Sequence, residues 1–313
     1  MRTPAPFDRQ SCTTCPRHCQ VDRTSAAGYC GIGSKPIIAK ACVHLWEEPC
    51  ISGTRGSGTV FFSGCSLRCV FCQNHRISRG GIGWEVEPAQ LADIFLELQD
   101  RLVHNINLVS PTHQAEAIAE ALHLCGERLK VPVVWNSGGY DATETILALS
   151  GQVSVWLPDL KFQDAALSSD MAGAPDYFAC AAAAVRTMVQ CAGAPVLDEE
   201  GLLRKGVMIR HLVLPGHTRD SIRILEWIAS EFGSSVLVSL MGQYTPMLDA
   251  PGAPARRLTR REYDRVTEAL FRLGLEDGYV QELSSAGTER IPEFDGEGVL
   301  NCIAQVGKRG SSL

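Results

Sequence analysis

The 313-residue sequence contains no apolar run of about 18 residues, the length that a membrane-spanning helix needs. Its first residues, MRTPAPFDRQSC, lack the apolar core of an export signal, so we expect a cytoplasmic protein with no membrane partner. An excess of positive charge is also missing, because 29 Lys and Arg face 35 Asp and Glu. Nucleic-acid binding needs a basic face, and we therefore expect no nucleic-acid partner.

Cysteine, in contrast, is abundant. Nine of the 13 cysteines lie within the first 72 residues, many of them separated by only two or three residues. Disulfide frameworks are typical of short secreted chains, whereas this chain is long and shows no export signal. We therefore predict that the grouped thiolates bind soft metal ions or iron–sulfur clusters.

From Thr59 onward, short apolar runs alternate with longer helical patterns, which is typical of βαβ units and a parallel sheet. The six candidate strands cover 59–64, 105–110, 131–136, 153–158, 206–214 and 235–241, and a last strand is expected at 278–283. The helical patterns cover 87–103, 112–129, 141–150, 175–191, 218–233 and 258–274, the last with Thr259 as its N-cap. An open barrel and a doubly wound sheet both satisfy this α/β pattern.

Three regions are expected along the chain. Residues 1–57 form a cysteine-rich, irregular extension with too few periodic apolar positions for a core of its own. Residues 58–245 form the β/α core, and residues 246–313 add a C-terminal helix and a tail that pack on it.

The stretch GCSLRCVFCQN follows directly after the first of the six strands and places Cys65, Cys69 and Cys72 in a C-x3-C-x2-C array. Iron–sulfur cubanes usually take four thiolates, so three close cysteines leave one iron open to another ligand. The alternatives are a zinc site or an electron-transfer cluster that borrows a fourth cysteine from elsewhere in the chain.

This loop resembles the hallmark of the radical S-adenosylmethionine (SAM) superfamily, C-x3-C-x-aromatic-C, with Phe71 as the aromatic residue. The resemblance implies a partial (β/α)6 TIM-like barrel, a [4Fe–4S] cluster on the three cysteines, and SAM bound at the open iron. It also implies reductive cleavage of SAM, hydrogen abstraction from a substrate, and an electron donor such as flavodoxin or ferredoxin.

Polar residues at the strand ends are candidates for cofactor binding, because the carboxyl ends of parallel strands carry the chemistry in such folds. They are Thr112, Asn136, Ser137, Asp159, Lys161 and Arg210, of which the Asp-x-Lys pair and the arginine match the family's pattern. For Thr112 the alternative is a helix N-cap, for Asn136 and Ser137 a turn, and for Asp159 and Lys161 a surface ion pair.

A second array precedes the barrel, with Cys12, Cys15, Cys19 and Cys30 at spacings that suit either zinc or an iron–sulfur cluster. Unliganded thiols are the alternative. The array, together with His44, Glu47 and Glu48, resembles the uncharacterised PflX-type branch of the pyruvate formate-lyase activase-like proteins. The two glutamates either tune the neighbouring cluster or lie on a solvated turn.

The resemblance to activases implies that the enzyme installs a glycyl radical on a protein partner. Radical modification of a small molecule or another peptide is the first alternative. A non-catalytic iron–sulfur electron carrier or zinc-binding protein is the second, and such a protein would not need Asp159, Lys161 and Arg210 to converge on the three cysteines.

Overall fold

A computed structural model of the chain describes residues 7–79, 81–246, 252–285, 287, 292–300 and 303. The strands are β1 Ile37–His44, β2 Ser57–Phe62, β3 Trp84–Glu85, β4 Ile106–Val109, β5 Val133–Ser137, β6 Val155–Pro158, β7 Val196–Leu197, β8 Leu203–Leu212, β9 Leu237–Met241 and β10 Gly278–Val280. The helices are α1 Pro49–Ser52, α2 His75–Ser78, α3 Pro88–Asp100, α4 Ala115–Cys125, α5 Thr143–Leu149, α6 Ala165–Ala172, α7 Tyr177–Ala192, α8 Thr218–Glu231 and α9 Arg260–Arg272. Within these ranges, no helix combines the length and the apolar character that crossing a bilayer requires.

The strands form one sheet in the order β10-β9-β8-β6-β5-β4-β2-β1-β3, with β7 paired to β8. Pairing is parallel from β2 through β4, β5, β6, β8 and β9 to β10. The six predicted strands are thereby confirmed, and β10 supplies the expected last strand. Because the described strands form an open series, the fold is a partial barrel, as predicted.

The sheet is buried on both faces, which explains why its strands read as continuous apolar runs. Every residue of β2, β4, β5, β6 and β9 is buried. Trp135 and Trp156 lie side by side on neighbouring strands, with ring centroids 6.2 Å apart. Full burial of an aromatic side chain of this size contributes roughly 3 kcal/mol, so these strands hold the carboxyl edge of the sheet in place.

The C-terminal helix α9 begins as the sequence predicts. The Thr259 hydroxyl accepts a hydrogen bond from the Glu262 amide, while the Glu262 side chain binds the Thr259 amide in return. This reciprocal capping satisfies two amides that the first turn leaves without partners. Tyr263 of α9 donates its hydroxyl hydrogen towards the carbonyl oxygens of Leu240 and Gln281, which ties the helix to β9 and to the residue after β10.

The prediction of irregular chain throughout residues 1–57 is wrong for Ile37–His44. This segment forms β1, which pairs antiparallel with β2 from Ile38 opposite Phe62 to His44 opposite Ser57. Without β1, the edge of β2 would expose unpaired amides and carbonyls, and pairing removes that cost. The short apolar segment therefore becomes a strand because of its partner in the sheet.

Candidate active site

The three-cysteine loop begins where β2 ends, at the carboxyl edge of the parallel strands. Gly64 starts the turn with φ of 83°, and a Cβ there would lie 2.5 Å from Ile32 Cγ1 and 2.7 Å from the Cys30 carbonyl oxygen. Only glycine suits both this backbone conformation and this space. Further along the loop, Phe71 is buried and packs edge-on against Phe162 at 6.0 Å. The loop is thus held by packing on both sides.

Cys65, Cys69 and Cys72 line one cavity of about 180 Å³. Burial raises the pKa of Cys69 to about 12 despite the opposing effect of Lys161, and burial likewise raises the pKa of Cys72. A buried thiol gives up its proton when a bound cation compensates the charge that results. Three soft donors on one loop, each able to become a thiolate in this way, fit an iron–sulfur cluster.

The spacing of these thiols also bears on the kind of group that they could hold. Among the described residues, no three His, Cys, Asp or Glu side chains are grouped as ligands of a single metal ion would be. A four-iron cluster is larger than one ion, and its thiolates therefore lie further apart. The loop is compatible with a cluster for this reason.

Charged side chains from two strand ends form a buried network beside the thiols. Arg210 in β8 donates from Nε to Asp159 Oδ1 at 2.8 Å, and Lys161 donates to Asp159 Oδ2 at 2.5 Å. Burial alone would raise the pKa of Asp159, but Arg210 and Lys161 outweigh it and lower this pKa, so the carboxylate is ionised. Buried charges of this kind are tolerated when they are paired.

Lys161 faces both this carboxylate and the cysteines. Burial would lower the pKa of its ammonium group, but Asp159 and then Cys69 raise it overall. The side chains of Asp159 and Lys161 are only 17% and 19% exposed, so the alternative of a surface ion pair is wrong. A fixed positive charge therefore lies next to the three thiols.

Arg210 has two further partners. Its Nη2 donates to Asn136 Oδ1 at 2.5 Å, and its Nη1 donates to Glu47 Oε2 at 3.1 Å. Asn136 also donates from Nδ2 to Glu47 Oε1 at 3.2 Å. The Glu47 side chain is only 11% exposed, which contradicts the solvated turn that was one interpretation of this segment. The guanidinium thus joins β5, the end of β6 and the residues before α1.

Thr112 and Ser137 contact a buried carboxylate that the sequence did not single out. Their hydroxyls donate to Asp141 at 2.7 and 2.5 Å, and Trp135 Nε1 donates to the same carboxylate at 3.1 Å. Ser137 also lines the 180 Å³ cavity, but Thr112 is not among the described residues that do so. Thr112 lies in a 3-10 turn and caps no helix with its side chain, so the N-cap alternative is wrong. A polar run followed by a helix, DATET, was the only signal for Asp141.

The four N-terminal cysteines also come together. Cys12, Cys15 and Cys30 are buried, and Cys19 is half-buried. The Sγ atoms of Cys19 and Cys30 lie 3.2 and 3.5 Å from the position that a Cβ on Gly28 would occupy. Burial raises the pKa of Cys15 to about 12, and the neighbouring Cys30, Cys12 and Cys19 raise it further. The fold thus gathers four thiols that are separated by up to 18 positions along the chain.

Comparison with known proteins adds to this geometry. Residues 59–157 match the family described as the radical SAM superfamily, a range that includes the three-cysteine loop. An uncharacterised protein of Methanocaldococcus jannaschii is 30% identical over 279 residues, which are 85% of this chain and 76% of that protein.

Two solved structures are similar to the chain at low sequence identity, and the first of them shows the same fold. A radical SAM methyltransferase from Sphaerobacter thermophilus is 17% identical with a TM-score of 0.51, over 73% of this chain and 68% of that one. SuiB of Streptococcus suis, in a structure with bound S-adenosylmethionine, is 16% identical with a TM-score of 0.49. That match covers 74% of this chain and spans about half of SuiB, 52%. The three-cysteine loop, the family match over residues 59–157 and the relative that is 30% identical over most of its length show that the chain belongs to the radical SAM superfamily.

Proposed function

We propose that this radical SAM enzyme holds a [4Fe–4S] cluster on Cys65, Cys69 and Cys72 and binds SAM in the 180 Å³ cavity beside them. The observation that supports this proposal is that the three thiols and the Asp159–Lys161 pair line the same cavity. With SAM bound and the cluster reduced by one electron, the two cofactors would supply reductive cleavage of SAM and hydrogen abstraction from a substrate. Electrons come from a donor such as flavodoxin or ferredoxin.

The side chains of the cavity have distinct roles in this proposal. Lys161 presents an ammonium group to the carboxylate of SAM, and Asp159 holds that ammonium in place at 2.5 Å. Asn136 and Ser137 offer short polar groups to the rest of the cofactor. Phe71, which is 8% exposed, shields the cluster from water. Thr112 acts indirectly. Its hydroxyl donates a hydrogen bond to the Asp141 carboxylate, and the same carboxylate accepts a hydrogen bond from Ser137 and so positions it.

Anaerobic reconstitution with iron and sulfide, followed by reductant and SAM, tests the proposal. We expect wild-type protein to release 5′-deoxyadenosine, and we expect Cys69→Ala to abolish the release. Cys125→Ala is the matched control, since Cys125 is an equally buried cysteine on α4 outside the cavity lining. Wild-type protein with an intact cluster but without 5′-deoxyadenosine would show an electron carrier instead of an enzyme of this class.

The substrate is a separate question. The resemblance to activases implies a glycine of a protein partner, and radical modification of a small molecule or another peptide is the alternative. Among the described residues, a cavity next to the cofactor site has an excess of carboxylates. This excess favours a substrate that carries a positive charge.

We also propose that Cys12, Cys15, Cys19 and Cys30 hold a second metal ion or cluster. A metal ion or cluster at this site would cross-link the chain within residues 1–57. One strand of this region, β1, also pairs with the sheet of the 58–245 core. Residues 246–313 remain the proposed C-terminal region. Four close, mostly buried thiols leave no open position, so the chemistry of the donor set suits an iron–sulfur cluster, or a structural zinc ion once the thiols draw closer than they lie among the described residues.

Metal analysis of the Cys12→Ala/Cys15→Ala double variant tests this second site. We expect the variant to lose one zinc ion, or one cluster's worth of iron and sulfide, relative to wild type. The cluster of the three-cysteine loop should persist, as shown by 5′-deoxyadenosine release. Unchanged iron, sulfide and zinc contents would contradict the second site.

A further inference from the structure

A second cavity, of about 390 Å³, adjoins the proposed SAM cavity. The two share lining residues, among them Asn74, Val109, Asn136, Arg210, Met241 and Gln243. Glu47 and Glu48 line only the larger cavity, together with the apolar side chains of Phe61 and Trp46. A molecule in the larger cavity can therefore extend towards the three-cysteine loop without crossing the protein interior.

Among the described residues that line this larger cavity, the buried side-chain atoms without a hydrogen-bond partner are all acceptors. Among the described lining residues, Glu48 Oε2 and Gln281 Oε1 are the buried side-chain atoms without a hydrogen-bond partner. The Glu48 side chain is only 9% exposed, and the nearest guanidinium nitrogen of Arg210 is 3.8 Å from its Oε2. A buried acceptor without a donor is costly, and a ligand that donates N–H groups would remove that cost.

Charge also points to a cation. Within the part of the chain that the structure describes, the connected network contains the carboxylates of Asp159, Glu47 and Glu48 but only two cations, Lys161 and Arg210. His44 adds no compensating charge, because burial lowers its pKa. Burial raises the pKa of Glu48 to about 7 despite Arg210, and Glu47 raises it further. Among the described groups of this network, one carboxylate is therefore left without a cation of its own.

We propose that the larger cavity is the substrate site and that Glu48 and Gln281 bind an ammonium or guanidinium group of the substrate. The remainder of the substrate lies along Phe61, Val109 and Met241 and presents its hydrogen to the SAM cavity. This inference rests on the proposed function of the cysteine loop and adds to it the class of substrate, an amine- or guanidine-bearing molecule.

Ligand-observed NMR titrations of the anaerobically reconstituted full chain with SAM test the proposal. The probes are 1,4-diaminobutane and agmatine, with 1,4-butanediol as the uncharged counterpart. We expect the two cationic probes to bind and the diol not to bind. Glu48→Gln should weaken the binding of the cationic probes about 10- to 100-fold, because a charge-assisted hydrogen bond is lost.

Two further variants keep the test decisive. Gln281→Leu removes the second orphaned acceptor and should weaken the cationic probes as well. Glu268→Gln is the control, since Glu268 is a glutamate on α9 outside the lining of either cavity, and it should leave binding unchanged. Equal binding of the diol, or undiminished binding by Glu48→Gln, would overturn the proposal, and so would displacement of the probes by Mg²⁺ at equal concentration.

The proposed SAM cleavage at the three-cysteine loop and the proposed cationic substrate class can fail separately. Wild-type release of 5′-deoxyadenosine without any cationic binding would leave the cofactor site standing and remove the substrate class. Cationic binding that depends on Glu48, but without 5′-deoxyadenosine, would remove the proposed reaction and leave the binding site.

Discussion

Glu48 is a residue whose pKa and charge depend on its neighbours. Its carboxylate is almost fully buried, and its cationic neighbour Arg210 already binds Asp159 and Glu47. The adjacent glutamates of HLWEEP look alike in the sequence, yet only Glu47 receives hydrogen bonds from Arg210 and Asn136. The difference arises because Arg210 Nη1 lies 3.1 Å from Glu47 Oε2 but 3.8 Å from Glu48 Oε2.

The pH dependence of the unfolding free energy should reveal the raised pKa of the Glu48 carboxyl group. Its pKa is about 7 in the folded protein against an ordinary value of 4.5, so its contribution is fully present below pH 4.5 and is lost as pH rises through about 7. Relative to wild type, we expect Glu48→Gln to gain about 2 kcal/mol of unfolding free energy between pH 5.5 and pH 8. Urea denaturation at both pH values, under anaerobic conditions, measures the difference. A gap between the two proteins that does not change with pH would contradict the buried, partly paired carboxylate.

At the scale of elements, the ends of β5 and β6 place the charged network. Tyr177 of α7 donates its hydroxyl hydrogen towards the Asp159 carbonyl oxygen at 2.7 Å, and the same hydroxyl accepts the Lys161 amide hydrogen at 2.9 Å. After β5, Gly139 turns the chain with φ of 76°, and a Cβ there would lie 2.3 Å from the Asp159 carbonyl oxygen. The position of Asp159 thus depends on a helix and a turn that contribute nothing charged.

Gly139→Ala should therefore displace Asp159 in the proposed SAM cavity although it replaces no charged residue. We expect a loss of about 2 to 4 kcal/mol in unfolding free energy, because the backbone is left-handed and the carbonyl blocks the new methyl group. Reduced SAM binding should accompany this loss, since the end of β6 must shift. Gly151→Ala is the control, because a Cβ there meets no atom within 4 Å. If both variants matched wild type in urea denaturation and SAM binding, the turn would not be what positions Asp159.

At the scale of the whole molecule, the N-terminal region supports the three-cysteine loop through hydrogen bonds. Arg17 donates to the carbonyl oxygens of Ser66, Ala172 and Gly173 at 2.7, 3.0 and 2.6 Å. Its guanidinium also stacks on the ring of Tyr29, 4.1 Å from the centroid. One side chain thus connects the four-cysteine region, the loop and the end of α6.

Arg17→Gln should loosen the cluster of the loop. Because residues that hold a ligand loop commonly change metal affinity about 10- to 100-fold, we expect iron release to a chelator to become about 10-fold faster. Absorbance of the reconstituted protein follows the release. Arg9→Gln is the matched control, since Arg9 makes an exposed ion pair with Glu116 on α4. Equal release rates for all three proteins would mean that the N-terminal region does not support the loop.

Part of this arrangement could be predicted from the sequence because it depends on local patterns. Apolar runs predicted the six parallel strands, and Thr259 as an N-cap predicted the start of α9. Short-range spacing similarly grouped Cys65, Cys69 and Cys72 before any geometry was known. β1 could not be predicted, because an isolated apolar segment becomes a strand only when a sheet edge is available to pair with it.

The sequence by itself determined that three cysteine thiols share one loop, because cysteines at a fixed short spacing lie together wherever the chain folds, and the family resemblance of that loop implied the class of chemistry. The period of its apolar residues also predicted alternating strands and helices with a parallel sheet, whereas the partial barrel was implied by the family resemblance of the cysteine loop. Only the tertiary structure decided which side chains meet. Four separate segments contribute the side chains of the charged network, Asp159, Arg210, Asn136 and Glu47. Thr112 donates a hydrogen bond to Asp141 and does not line the cavity. Contacts between distant segments depend on the packing of the sheet, and local patterns contain no information about it.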